Sequence, residues 1–163
     1  MSQNVGHMSA NPPSEWSYWV DYDPDISAAL QRLREDVFAR GDYATGESPI
    51  AVGSRLIIPQ VQPKPKPATI EELLQQESEG GTHSILDITC ISPKPKRRAI
   101  SSFPESLLVE YFGSQTPSPS EVQEVYDFGS LEKFVTKRWR GIYIVCHFDG
   151  KPSDIFFAGC SGD

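Results

Sequence analysis

Five side chains of this sequence are the candidates for nucleophilic or acid–base chemistry. They are His83, Asp87, Cys146, His147 and Cys160. A cysteine becomes a nucleophile when a base lies within hydrogen-bonding distance of its thiol, so a cysteine–histidine pair would be the reactive unit. Cys146 and His147 cannot form that pair with each other within a strand, because successive side chains point to opposite faces. We favour the interpretation that both cysteines are ordinary residues of the core or of a strand end.

His83 and Asp87 fall on the same face of a strand predicted for residues 82–91. Four residues of extended chain span about 13 Å, so these two side chains do not form a direct dyad. We interpret His83, which follows two glycines and a threonine, as a polar residue at the entrance of that strand. A small enzyme whose site gathers the five residues from different strands is kept as the second hypothesis for function.

Motifs that hold metals, nucleotides or phosphates are absent from the sequence. There is no Cys-x-x-Cys, no His-x-x-x-His, no acidic calcium loop and no glycine-rich phosphate loop. We therefore predict neither a metal nor a cofactor. The three cysteines, Cys90, Cys146 and Cys160, are odd in number and widely spaced, which predicts reduced thiols rather than a disulfide framework.

An aromatic segment near the N-terminus alternates between two sets of side chains, as is typical of a β-strand. Trp16 belongs to one set, and Trp19 and Asp21 belong to the other. Because an exposed tryptophan is a typical anchor for a protein partner, we predict a partner-binding surface formed by these three residues. If both faces of the strand are covered, the tryptophans are core and the argument for an aromatic anchor disappears.

A basic run, Lys94, Lys96, Arg97 and Arg98, follows the predicted strand and is interrupted by prolines. Such a run can bind the phosphates of nucleic acid or an acidic protein surface. No aromatic residues are interleaved with it, as a binder of single strands would require. We favour a solvated loop, and a nucleic-acid binder is the weakest of the three functions considered.

The composition is that of a folded acidic domain. The chain has 163 residues, of which 38% are hydrophobic and 23% are charged, and its net charge is −7. This charge argues against non-specific binding to nucleic acid or to acidic membranes. No apolar run reaches the roughly 18 to 20 residues of a membrane helix, and residues 1–13 have no signal-peptide core. We therefore expect a cytoplasmic protein.

The elements that must position these residues follow from periodicity, capping residues and turn residues. The strongest signal is a C-terminal hairpin, in which two β-branched and aromatic runs flank Asp149 and Gly150. The predicted elements are a strand at 16–22, a helix at 24–40, a strand at 55–58, a helix at 69–78, a strand at 82–91, helices at 104–112 and 119–139, and the hairpin at 142–160. Gly129 either breaks the helix at 119–139 or is tolerated within it.

These elements predict one α+β domain over residues 15–163, with a four- or five-stranded, largely antiparallel sheet and three or four helices. Pro/Lys-rich loops are predicted at 59–68 and 92–99. Residues 1–14 are predicted to be a disordered lead-in, and we interpret residues 1–7 as the remnant of a purification tag.

The absence of catalytic signatures, the acidic charge and the N-terminal aromatic residues together favour a non-catalytic interaction module. We expect it to bind one protein partner through an acidic and aromatic surface, as an adaptor or a toxin-neutralising, immunity-type inhibitor would. Electrostatic steering would suit a basic partner. The oligomeric state does not follow from the sequence.

Overall fold

The structure, a computed structural model, describes residues 15–44, 51–52, 55–56 and 66–162. Its helices and strands, in chain order, are β1 (Glu15–Asp21), α1 (Ile26–Arg40), β2 (Ala51–Val52), β3 (Arg55–Leu56), α2 (Ile70–Gln76), β4 (Cys90–Ile91), β5 (Ala99–Ser102), α3 (Leu108–Phe112), α4 (Pro119–Asp127), α5 (Glu132–Val135), β6 (Arg140–Phe148) and β7 (Lys151–Cys160).

One mixed sheet of five strands, in the order β1–β7–β6–β5–β4, organises the domain. The strand β7 pairs antiparallel with both β1 and β6, whereas β5 pairs parallel with both β6 and β4. The predicted α+β class and the C-terminal hairpin are confirmed. The sheet is mixed rather than largely antiparallel, and the part of the chain described here contains five α-helices rather than three or four.

The C-terminal hairpin closes through Asp149 and Gly150, whose φ angles are 52° and 74°. Two positive φ angles give the turn a twist that matches the twist of the two strands. Along β7 the side chains alternate, so that Ile155 and Phe157 enter one core cluster and Phe156 enters the other. The sheet is therefore buried on both faces, by α1 and α2 on one side and by α3, α4 and α5 on the other.

The helix α1 begins two residues later than predicted. Asp25 caps it by accepting a hydrogen bond from the backbone N–H of Ala28 at 3.1 Å. Gly41 ends the helix in the left-handed conformation, as the sequence predicted. The buried stripe contains Leu33 and Val37 at helical spacing and faces the sheet.

The strand predicted at 82–91 is wrong except for its last two residues, which form β4. Residues Ile85–Asp87 form a 3₁₀ turn instead, and the Ser84 hydroxyl accepts a hydrogen bond from the backbone of Leu86. The Asp87 carboxylate accepts a hydrogen bond from the backbone of Thr82. Local side-chain acceptors therefore take the backbone donors that a strand would have used.

The strand β5 was not predicted, because its four residues were too few to show alternation next to the Pro/Lys-rich loop. Residues 92–98 return the chain, so that β4 and β5 run parallel. The predicted helix at 119–139 is two helices, separated at Gly129, whose φ is 84°.

Several predictions fall wholly or partly outside the described residues. The predicted lead-in at 1–14 lies outside them, as does most of the loop at 59–68. Of the strand predicted at 55–58, the structure describes the two residues of β3, which pair antiparallel with β2.

Candidate functional site

Asp87, the carboxylate among the five candidate catalytic residues, is fully buried. Its two oxygens accept hydrogen bonds from the backbone N–H of Thr82 at 2.8 and 3.0 Å, and the Ser161 hydroxyl donates to one of them at 2.6 Å. His83 lies directly after Thr82 with a φ of 53°. The Asp87 carboxylate is therefore occupied by bonds inside the fold, which is the arrangement of a structural group.

The two buried cysteines lie at opposite ends of the C-terminal hairpin. Cys146 pairs with Asp154, whereas Cys160 is the last residue of β7, about 20 Å further along the strand. Burial, with a smaller contribution from the Asp154 charge, raises the pKa of the Cys146 thiol to about 12. A nucleophilic cysteine needs a lowered pKa, so the environment of Cys146 opposes thiolate formation.

His147 follows a β-bulge in β6, and its backbone N–H donates to the carbonyl of Pro117 at 2.8 Å. This contact ties the end of β6 to the start of α4. Across the described ranges, no group of three or more His, Cys, Asp or Glu side chains is arranged to hold a metal ion. The hypothesis of an enzyme with an assembled His/Cys/Asp site gains no support from the Asp87 and Cys146 environments.

Side chains on both faces of the aromatic strand β1 contact a core cluster, and Trp19 is only partly buried. Trp16 is 5% exposed and packs in the cluster beneath α1. Trp19, on the opposite face, packs against the ring of Phe156 with a centroid distance of 4.7 Å. Asp21 is exposed at the end of the strand. Of the three residues predicted to bind a partner, Trp16 is therefore buried, Trp19 is partly buried and Asp21 is exposed.

Trp19 is instead the first member of a hydrogen-bonded chain that reaches the surface. Its indole N–H donates to Oε1 of Gln123 at 2.8 Å, and Nε2 of Gln123 donates to a carboxylate oxygen of Asp127 at 2.8 Å. Because the amide oxygen and nitrogen are each used, the chain fixes the orientation of the Gln123 side chain. A partly buried tryptophan thus positions a surface carboxylate 108 residues away in sequence.

The surface that these bonds organise, here called the α4 face, is an acidic helix face that ends in an exposed aromatic ring. Phe128 is 87% exposed, the largest exposed fraction among the exposed large apolar side chains of the described residues. A shallow depression of about 520 Å³ is lined by Ser120, Gln123, Glu124, Asp127 and Phe128.

Local sequence sets where this helix begins. The Ser118 hydroxyl accepts a hydrogen bond from the backbone N–H of Glu121, and the Glu121 carboxylate accepts one from the backbone N–H of Ser118. Pro119 occupies the first helical turn. Sequence reasoning missed the exposed ring, although Phe128 falls off the helical stripe that contains the buried Val122.

A second surface is basic and is built on Trp139, which is 7% exposed. The guanidinium carbons of Arg97 and Arg98 lie 4.8 and 4.4 Å from the centroid of its ring. The backbone N–H of Arg98 also donates to the carbonyl of Trp139 at 2.6 Å. Trp139 fell within the helix predicted at 119–139, so its contact with the basic run at 94–98 was not predicted.

Arg34 is a cationic side chain that is buried inside the fold. It lies on the core face of α1, is 7% exposed, and its guanidinium donates to the carbonyl of Leu86 at 3.3 Å. Burial lowers the pKa of this group, and the charges of Glu71 and Asp87 oppose that effect. Arg34 therefore joins α1 to the 3₁₀ turn rather than facing a ligand.

Comparison of this chain with known protein families, with curated proteins and with solved structures finds no match. Among the helices of the described residues, none combines the length and the apolar character that crossing a bilayer requires.

Proposed function

We propose that this protein is a non-catalytic, cytosolic interaction module that binds one protein partner through the α4 face. The observation that carries the proposal is Phe128, an aromatic side chain that is 87% exposed beside the carboxylates of Glu124 and Asp127. Aromatic side chains that become buried on association supply much of the binding energy of protein interfaces. An exposed phenylalanine at the edge of a shallow depression is suited to that role.

The partner that fits this face carries a small apolar cleft with lysine or arginine residues around it. The cleft would receive the Phe128 ring, and the cations would meet Glu124 and Asp127 at the rim. The net charge of −7 would draw such a partner in by electrostatic steering. Because Trp19 and Gln123 hold Asp127 in place before binding, less side-chain freedom is lost when the complex forms.

An adaptor and an immunity-type inhibitor would use such a face in the same way. They differ in what the partner loses, because an inhibitor abolishes an activity of its partner and an adaptor does not. Once a partner is in hand, its activity with and without this protein separates the two functions.

The test begins with capture of partners from the source lysate by the tagged protein and by its Phe128→Ala variant. A protein that the wild type captures and the variant does not is then purified and titrated directly. We expect Phe128→Ala to weaken its binding by at least about 30-fold, which corresponds to about 2 kcal/mol for an interface hot spot. Asp127→Asn should mainly slow association and reduce its dependence on salt.

Phe148→Ala is the matched control, because Phe148 is 75% exposed but lies at the hairpin turn rather than on the α4 face. It should leave binding within about twofold. Trp19→Phe keeps an aromatic ring on Phe156 but removes the indole N–H, and a several-fold loss of affinity is expected from the freed Gln123. The proposal fails if every purified partner binds Phe128→Ala as tightly as the wild type.

A further inference from the structure

Two basic runs that are distant in sequence meet at one end of the sheet. The strands β5 and β6 are parallel, so their first residues, Ala99 and Arg140, are paired. The residue before each strand is therefore also adjacent, and the backbone of Arg98 bonds to that of Trp139. The basic end, as we name this surface, comprises Trp139 and seven cationic residues: Lys94, Lys96, Arg97, Arg98, Lys137, Arg138 and Arg140.

The charges of the basic end are concentrated and are not neutralised within the described part of the chain. The seven residues are nearly half of the 15 lysines and arginines, and neither run contains an aspartate or glutamate. The two ion pairs found among the described residues involve Arg32 and Arg40 of α1 instead. Five of the seven side chains are exposed, and Arg98 and Arg140 are half-buried.

Trp139 makes part of this surface rigid. The guanidinium groups of Arg97 and Arg98 lie against its ring, and Gly162 packs so close that an added Cβ would overlap the indole. Arg98 and Trp139 both adopt left-handed backbone conformations, with φ angles of 61° and 63°. Such conformations are unfavourable for residues other than glycine, and they tend to persist where function requires a particular arrangement.

The chemistry of the basic end selects its ligand. None of the exposed large apolar side chains of the described residues, Val109, Phe128 and Phe148, belongs to either run, so a protein partner would find no apolar anchor there. Trp139 is covered, so it offers no open ring on which the bases of a single strand could stack. Guanidinium groups held in a fixed position are well suited to phosphates, which they bind in a bidentate manner.

We propose that the basic end is a second binding site, which takes the phosphate backbone of duplex nucleic acid without reading its base sequence. Contacts to phosphates position a protein on a duplex and carry no sequence information directly. The overall charge of −7 repels such a ligand at long range, so binding should be local, weak and strongly dependent on salt. This differs from a simple basic loop, because residues of both runs are required.

The test is the fluorescence anisotropy of a labelled duplex DNA of mixed sequence, about 30 base pairs long, at about 50 and 150 mM salt. Two double variants divide the surface: Lys94→Gln with Lys96→Gln, and Lys137→Gln with Arg138→Gln. All four side chains are exposed, so the substitutions should not disturb the core. We expect each double variant to weaken binding by about fivefold or more. The slope of the logarithm of the binding constant against the logarithm of the salt concentration should become shallower by up to about 1.8, because two phosphate contacts are lost.

The matched control, Arg32→Gln with Lys151→Gln, removes two exposed positive charges outside the basic end. It should leave duplex binding within about twofold, and so should Phe128→Ala, which separates this site from the α4 face. If the Lys94→Gln, Lys96→Gln variant weakened binding and the Lys137→Gln, Arg138→Gln variant did not, the proposal would be overturned, because the loop at 94–98 alone would then suffice. Failure of the wild type to bind the duplex at low salt, or equal competition by polyglutamate, would also overturn it.

Discussion

Asp87 joins two parts of the chain that are 74 positions apart, through the hydrogen bond from Ser161. A carboxylate removed from water is stable only when its oxygens are supplied with donors, and here the backbone of Thr82 and the Ser161 hydroxyl supply them. The residue is a candidate by type for acid–base chemistry, but its surroundings use it to hold the end of β7 against the segment after α2.

Replacing Asp87 with Asn should destabilise the protein by about 2–3 kcal/mol, because an amide nitrogen would face one of two existing donors. Ser161→Ala, which removes only one donor, should cost about 1–2 kcal/mol. Urea unfolding followed by circular dichroism measures both changes. Asp149→Asn in the exposed hairpin turn is the control and should be neutral within about 0.5 kcal/mol. Equal effects of Asp87→Asn and Asp149→Asn would contradict this assignment.

The partner surface predicted at Trp16, Trp19 and Asp21 rested on alternation along one strand, which cannot show how far the second face of that strand is covered. The hydrogen bond from Trp19 to Gln123 spans 104 positions, and no local pattern contains it. The exposed Phe128 was accessible to helical periodicity, whereas the link from the neighbouring Asp127 through Gln123 to Trp19 was not.

At the scale of elements, capping residues predicted helices well. Thr69 caps α2 and Ser118 caps α4, so both helices begin within one residue of the predicted starts at 69 and 119, because a cap needs only residues three or four positions apart. Alternation was less informative, since residues 82–91 alternate in sequence but form a 3₁₀ turn. The four-residue strand β5 depends on its neighbours β4 and β6, and such distant pairings leave little trace in the strand itself.

The pairing of β6 with β7 contains a glycine pair that makes room for an aromatic ring. Gly141 and Gly159 are partners in the register, and the Trp16 indole lies across both. A Cβ on Gly159 would lie 2.7 Å from Cη2 of Trp16 and would overlap the carbonyl oxygen of Arg140. Close packing of Trp16 against two backbones therefore requires glycine at both positions.

We expect Gly159→Ala to destabilise the protein by about 3 kcal/mol or more, because backbone atoms would have to move. Gly113→Ala is the matched control, since the added methyl group meets nothing within 4 Å and only the positive φ of 74° opposes it. That cost should be about 1–2 kcal/mol. Urea unfolding monitored by tryptophan fluorescence compares the two variants. A smaller loss for Gly159→Ala than for Gly113→Ala would contradict the packing described here.

At the scale of the whole molecule, one sheet carries two separate core clusters. Phe157 faces the cluster beneath α1 and α2, and Phe156 faces the cluster beneath α3, α4 and α5. Because these residues are neighbours on β7, loss of the strand removes one wall from each cluster. The two halves of the core should therefore unfold together.

Phe156→Leu and Phe157→Leu test this coupling, since each replaces a large side chain with a smaller one in only one of the two clusters. Each should lower the free energy of unfolding by about 1–2 kcal/mol, while a single transition is kept. Circular dichroism and tryptophan fluorescence should give the same midpoint in urea for both variants. Two separated transitions in either variant would mean that the clusters fold independently.

The pairing of β1 with β7 has a consequence for how the protein is made. The register pairs Asp21 with Asp154. The strand β1 therefore has no partner until roughly 130 further residues have been synthesised. At bacterial or eukaryotic elongation rates of about 5–20 residues per second, the apolar side of that nascent strand stays uncovered for many seconds. Translation speed and holdase chaperones should therefore influence the yield of this protein.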